Sequence, residues 1–305
     1  MIQIEKILCP LDFSKCSKVA LNAAIDLANK TRSQLHLFHA ILMYENDSYK
    51  PDDRLPDNIF SYELIEEISN QKLKNVAEDY ASDEVNIVTA SSRAFSAAEE
   101  IVNYAEENKI DLILMGTHGR TAINHLLLGS VAERVIRLAK CPVMTIRKDS
   151  KNLATHQKIL APVDFSEHSK LALRYALEIA RIYRSEIALL HVIEQQIHPS
   201  FYLTGKTSIF EIDSDLKQRA TDAMQSFRKE LGNEEIQTSY MLAEGTAYHE
   251  IVECAKKENF DLLVIATQGL RGLKHFLIGS TTEKVIRHAE IPVLTVKLSE
   301  RDFVG

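Results

Sequence analysis

Two stretches of this chain carry residues suited to holding phosphate, and the second is a copy of the first. The first runs Gly116-Thr117-His118-Gly119 and on to Leu128-Gly129-Ser130; the copy runs Ala266-Thr267-Gln268-Gly269 and on to Ile278-Gly279-Ser280. Each follows an apolar run, residues 111–115 or 261–265, that reads as a buried parallel strand, and each leads into a helical pattern at 131–137 or 281–287. Glycine lets the backbone come close to a ligand, and the N–H groups and dipole at a helix start favour an anion. In an open parallel sheet such a loop lies at the carboxyl ends of the strands, where ligands bind.

Other chemistries fit the residues less well. Gly205-Lys206-Thr207 imitates the end of a Walker loop, but Ser200 stands where that motif needs glycine, and Pro199 spoils the strand entry. Pro10-Leu11-Asp12 follows the first strand in place of a GxGxxG turn. The histidines show no HExxH spacing, and no GxSxG elbow or Cys/His framework stands out. His118 is matched by Gln268, which argues against an obligatory acid–base role. His125 and His275 read as loop histidines, and Glu133-Arg134 and Glu283-Lys284 as a solvated helix face. Asp12 and Asp164 are either turn residues or pocket-edge carboxylates, and their recurrence in a chain with two glycine loops favours the second role.

The elements that must position these residues are also written twice. Lys6-Ile7-Leu8-Cys9-Pro10-Leu11-Asp12-Phe13-Ser14 matches Lys158-Ile159-Leu160-Ala161-Pro162-Val163-Asp164-Phe165-Ser166, and Cys141-Pro142-Val143 matches Ile291-Pro292-Val293. The repeat covers nearly the whole chain and predicts two domains, 1–150 and 151–305, joined near 148–152. In the first half strands are expected at 6–9, 34–40, 85–89, 111–115 and 143–147, with helices capped by Ser14 or Ser17 and by Ser96, and a helix over 60–80. Residues 44–58 read as an exposed insertion. In the second half strands are expected at 158–161, 186–191, 237–241, 262–265 and 293–297. Alternating strands and helices make each half an α/β domain with a parallel sheet and right-handed crossovers. The net charge of −7 argues against broad nucleic-acid binding. No apolar run is long enough to span a membrane, no secretory leader stands out, and the cysteines form no CxxC pair. A cytoplasmic protein with reduced thiols is expected; the sequon at Asn46 carries little weight without such a leader.

With these motifs in order, from Leu8-Cys9-Pro10-Leu11-Asp12 through His39-Ala40-Ile41 to the glycine loop and Ala139-Lys140-Cys141-Pro142-Val143, the chain resembles the universal stress protein family in its tandem form. The resemblance implies two Rossmann-like open sheets of strand order 3-2-1-4-5, packed as a pseudo-dimer, and a bound ATP, with AMP or ADP as alternatives and Mg²⁺ travelling with the phosphates. Carried over, Leu11 and Asp12 border adenine and ribose, and Ala40, where strand two ends, offers backbone groups to the base. Met115 and Gly116 end strand four, His118 and Gly119 line the phosphate turn, and Gly129, Ser130 and Val131 meet the phosphates. In the copy these become Val163, Asp164, Val192, Ile265, Ala266, Gln268, Gly269, Gly279, Ser280 and Thr281. The expected function is ATP-dependent stress response or regulation with little or no turnover, the alternatives being a slow ATPase or phosphotransfer enzyme and a ligand-free interaction module. The halves are expected to pair antiparallel through their last strands, and a further homodimer is anticipated. Because Ala266 replaces the first glycine, where a Cβ costs about 1–2 kcal/mol if the position needs positive φ and obstructs phosphates that approach the backbone closely, and because Lys274 in place of Asn124 offsets this only by about 0–1 kcal/mol, the second site is expected to be weaker by about 1 kcal/mol, roughly fivefold; calorimetry on the intact chain checks this, and equal sites contradict it.

Overall fold

The structure, a computed structural model, describes residues 2–43, 62–80, 85–117, 128–150, 158–194, 208–232, 235–269 and 278–298. The chain divides into two compact units that change over between Lys148 and Asp149. The first unit holds β1 (Lys6–Pro10), α1 (Lys15–Thr31), β2 (Gln34–Leu42), α2 (Tyr62–Asp79), β3 (Ile87–Ala94), α3 (Ala97–Glu107), β4 (Leu112–Gly116), α4 (Ser130–Leu138) and β5 (Val143–Ile146). Its strands run in the order β3-β2-β1-β4-β5, every pair parallel. The second holds β6 (Lys158–Pro162), α5 (Glu167–Tyr183), β7 (Glu186–Ile193), α6 (Ile209–Ile212), α7 (Leu216–Lys229), β8 (Thr238–Glu244), α8 (Ala247–Lys257), β9 (Leu262–Ala266), α9 (Ser280–His288) and β10 (Val293–Val296). Its order, β8-β7-β6-β9-β10, is the same and again parallel. The short α6 has no described counterpart in the first unit.

Local chemistry explains the elements. The hydroxyl of Ser14 accepts the Ser17 N–H at 3.2 Å and starts α1; Ser166 does the same for α5 with Ser169 at 3.1 Å. Both helices stop on an arginine in the left-handed region, Arg32 at φ 58° and Arg184 at φ 56°. Asp111, just before β4, accepts the backbone N–H groups of Glu5 and Lys6 at 2.9 Å, and Asp261 accepts that of Lys158 at 3.2 Å. These carboxylates tie the start of the fourth strand to the start of the first. The central strands are buried on both faces, as in β1 at Ile7, Leu8 and Cys9, and burial pushes the Cys9 thiol up. All four cysteines are free. Among the described residues no helix is long and apolar enough to cross a membrane.

Four strands outrun their expected ends by two residues or more. Strands β2 and β7 continue to Leu42 and Ile193, so Ala40 and Val192 lie within strands. Strand β3 spans Ile87–Ala94 where 85–89 was expected, and β8 spans Thr238–Glu244 where 237–241 was expected. The polar half of β3 does not read as a strand, yet its side chains have partners. Ser91 donates to Asn70 and Ser92 to Glu100, both at 2.7 Å, and Arg93 reaches Glu66 at 2.8 Å. An end strand hydrogen-bonded on one side tolerates such polarity when neighbouring helices satisfy it. The insertion at 44–58, the sequon and Gly205-Lys206-Thr207 lie outside the described residues, as do residues 151 and 152 of the expected linker.

His36 on β2 is buried, its ring nitrogens bonded to Tyr104 at 2.9 Å and Gln34 at 3.0 Å. Burial, and then the charge of Lys6, lower its pKa below the ordinary 6.5. The unfolded chain therefore binds more protons there than the folded one as pH falls through 6.5, so this histidine withdraws stability from the first unit in acid. In the second unit Ala188 stands at the matching position. Thermal unfolding followed from pH 7.5 to 5.5 should show an acid loss that His36→Gln reduces; an unchanged pH slope in that variant contradicts the assignment.

Candidate functional site

The carboxyl ends of β6, β7 and β9 meet the starts of α8 and α9 around one cleft of about 510 Å³. That volume lies within the usual span of small-molecule sites. All ten residues picked from the second repeat line it: Val163, Asp164, Val192, Ile265, Ala266, Gln268, Gly269, Gly279, Ser280 and Thr281. The cleft also takes in His191, Glu194 and Ile251.

One edge is built by the turn after β6. Val163 donates its N–H to the Leu190 carbonyl at 2.9 Å, and its own carbonyl meets His191 Nδ1 at 2.8 Å. A carbonyl only accepts, so Nδ1 carries the proton. The His191 ring lies 4.7 Å from that of Phe165, whose backbone is left-handed at φ 63°. Such a conformation costs an L-residue about 1–2 kcal/mol. Asp164 closes this turn: its Oδ1 accepts the Ser166 N–H at 3.1 Å and hydroxyl at 2.5 Å. Its other oxygen reaches the glycine loop, where a Cβ at Gly269 would stand 2.3 Å from Oδ2. The aspartate is thus both turn residue and cleft wall, and Gly269 is glycine because this carboxylate lies against it.

The opposite edge is the start of α9. Gly279 donates its N–H to the Thr267 carbonyl at 2.7 Å, and the Thr282 hydroxyl donates to the Ala266 carbonyl at 2.7 Å. These bonds hold the two ends of the glycine loop together. Gly279 caps α9 in an extended conformation and no side chain caps the helix, so its first turn faces the cleft with backbone N–H groups and the hydroxyls of Ser280 and Thr281. Helix dipole and N–H groups together suit phosphate or another anion. Between the two edges lie Leu190, Val192, Ile251 and Ile265, an apolar floor for a flat ring.

The first unit repeats this frame. Leu11 N–H reaches the Phe38 carbonyl at 2.8 Å, its own carbonyl meets His39 Nδ1 at 2.6 Å, and Asp12 accepts the Ser14 N–H at 3.0 Å. Phe13 is left-handed at φ 61°, its ring 4.8 Å from His39. Ala40 sits on β2, Met115 and Gly116 end β4, and Gly129 caps α4 ahead of Ser130 and Val131, bonded to the Thr117 carbonyl at 2.7 Å. His118, Gly119, His125, Asn124, Lys274 and His275 lie outside the described residues.

One expectation about the loop needs correcting. Gly116 does not have positive φ; it is a strand residue against which α1 packs, and a Cβ there would meet Cys16 Sγ at 2.9 Å and the Cys16 backbone at 3.1 Å. The backbone cost assigned to Ala266 therefore falls away. The histidine–phenylalanine pairs were not picked as site residues, although their recurrence, His39 with His191 and Phe13 with Phe165, is visible in the repeat.

An open parallel sheet of this order, with a helix start that lacks a side-chain cap at its carboxyl edge, defines an α/β domain present twice. The model of the Universal stress protein family matches residues 3–147 and 155–297, and the chain belongs to that family in a tandem arrangement. A universal stress protein of Methanocaldococcus jannaschii is 32% identical over 158 residues, covering 52% of this chain and 91% of the relative. Another from that organism is 33% identical over 154 residues, covering 47% and 95%. Among solved structures, a putative universal stress protein from Pseudomonas aeruginosa shares the fold with TM-score 0.71 at 20% identity, covering 96% of this chain and 93% of that one. One from Archaeoglobus fulgidus does so with TM-score 0.67 at 22% identity, covering 98% of both.

The contact at Gly116 makes a stability prediction. Gly116→Ala should destabilise the first unit by about 1–3 kcal/mol through overpacking, and adding Cys16→Ala should restore only part, because the Cys16 backbone stays. Chemical unfolding measures both; a neutral Gly116→Ala removes the packing explanation.

Proposed function

We propose that this protein binds an adenine nucleotide, ATP above AMP or ADP, in the cleft of each half, and acts as a regulatory or stress-protective protein of the cytoplasm with little or no turnover. Each half, 1–150 and 151–305, serves as one binding domain. The observation that carries this is the gathering of all ten residues of the second repeat around one cleft with an uncapped helix start at one edge and apolar side chains across its floor. Phosphates would lie against Gly279, Ser280 and Thr281, the sugar near Asp164, and the base over Val192 and Ile265. A Mg²⁺ ion accompanying the phosphates would be held mainly by them and by water.

Little or no turnover is supported by the residue that stands in the second half where the first repeat has His118. Gln268 carries an amide, which neither gives nor takes a proton at neutral pH. Pairing of the halves through β5 and β10, and a further dimer of chains, belong to the same proposal on the strength of the sequence.

Asp164→Ala and Asp12→Ala should each weaken ATP binding to their own half by about 1.5–3 kcal/mol, one charge-assisted hydrogen bond. Calorimetry on the full chain, paired with unfolding curves, checks this. Reduced stability with unchanged affinity in both variants would leave the aspartates as turn residues only.

A further inference from the structure

Glu194 stands immediately after β7 and lines the cleft on the β7 side, with β6 between that strand and β9, from which the glycine loop starts. Its Oε1 accepts the backbone N–H of Ala247, the first residue of α8, at 2.7 Å. Thr246, the capping residue of that helix, makes no side-chain cap bond, so the glutamate reaches across from the neighbouring strand to do so. The contact orients the carboxylate at the mouth of the cleft and leaves it further acceptor capacity, since an ionised carboxylate has about four lone-pair positions. The cleft is therefore electrically polar along its length. One end offers the N–H groups and dipole of α9, suited to an anion; the other offers a carboxylate held at the start of α8, suited to a hydrogen-bond donor.

The first half is built differently at this point. Leu42, 43% exposed, occupies the position that matches Glu194. Helix α3 there is capped by its own Ser96, whose hydroxyl accepts the Glu99 N–H at 3.4 Å.

We propose that Glu194 is a specificity-determining residue of the second cleft, selecting ligands with one phosphorylated end and one amino-bearing end. This rests on the nucleotide assignment above and narrows it. The second site takes a nucleoside phosphate whose base presents an N–H donor towards Glu194, such as the exocyclic amine of adenine. It disfavours a 6-oxo purine. The first half, with leucine there, lacks this preference.

The test compares ATP with inosine triphosphate, the same molecule with oxygen in place of the amino group. Full-length protein is titrated with each, and hydrogen–deuterium exchange is read on second-half peptides covering Glu186–Ile193 and Ser280–His288. In the wild type ATP should reach half-protection at roughly tenfold lower concentration than inosine triphosphate, the discount from a fully buried charged bond reflecting an exposed carboxylate. Glu194→Leu should bring that ratio close to one by weakening ATP alone. Glu194→Gln, whose amide can also donate, should do so partly by improving inosine triphosphate. An unchanged ratio in Glu194→Leu overturns the proposal, as does an equal loss for both nucleotides, which would mark Glu194 as a helix cap only. If ATP fails to protect these peptides in the wild type at all, the nucleotide assignment itself falls and the specificity role with it.

Discussion

The geometry of each half depends on one hydrogen bond, from a histidine on the second strand to the carbonyl that follows the first. His39 holds Leu11 at 2.6 Å and His191 holds Val163 at 2.8 Å. Beyond the last ladder pair of a parallel sheet, backbone groups need partners from elsewhere. With this carbonyl held, the chain turns through a left-handed phenylalanine whose ring packs at a tilt against the same histidine, and an aspartate accepts from the serine that caps the next helix. One imidazole thus fixes the exit of the central strand and the start of its helix. In the second unit it also fixes the direction in which the aspartate meets the glycine loop.

The glycines around the loop answer different demands. Gly116 makes room for α1 at Cys16, Gly269 for the Asp164 carboxylate, and Gly279 for the Thr267 carbonyl, which a Cβ would meet at 3.3 Å. Each of these three contacts is with the protein's own atoms, so packing alone already calls for a small residue there, and the backbone at the cleft is left free of side chains. The units diverge on the same frame. Thr282 ties the start of α9 to Ala266, and Ala132 at the matching position in the first unit has no hydroxyl to do so.

Much of this was legible in the sequence because it is local or repeated. The Ser14 and Ser96 caps, the buried central strands and the two-fold repeat follow from short-range chemistry and apolar pattern, and the strand order followed from the family resemblance. The outer half of β3 was not legible, since Ser91, Ser92 and Arg93 are made compatible with a strand by Asn70, Glu100 and Glu66 on α2 and α3. Ala40 and Val192 moved inside their strands for the same reason, because the extended partner strands supply ladder bonds there. The role of Gly269 depends on Asp164, more than a hundred residues earlier, and that of Glu194 on the first residue of α8; no spacing rule exposes such pairs.

The central claim is that the second-half cleft holds a nucleotide with phosphates on the α9 start and base on the β7 side. A crystal structure of the full chain grown with ATP and Mg²⁺ tests it most directly through difference density in that cleft. The account predicts phosphate density within hydrogen-bond distance of the Gly279–Thr281 backbone and ring density over Val192 and Ile265. A cleft holding only solvent at saturating ATP, or a nucleotide bound with its base against α9, would contradict it.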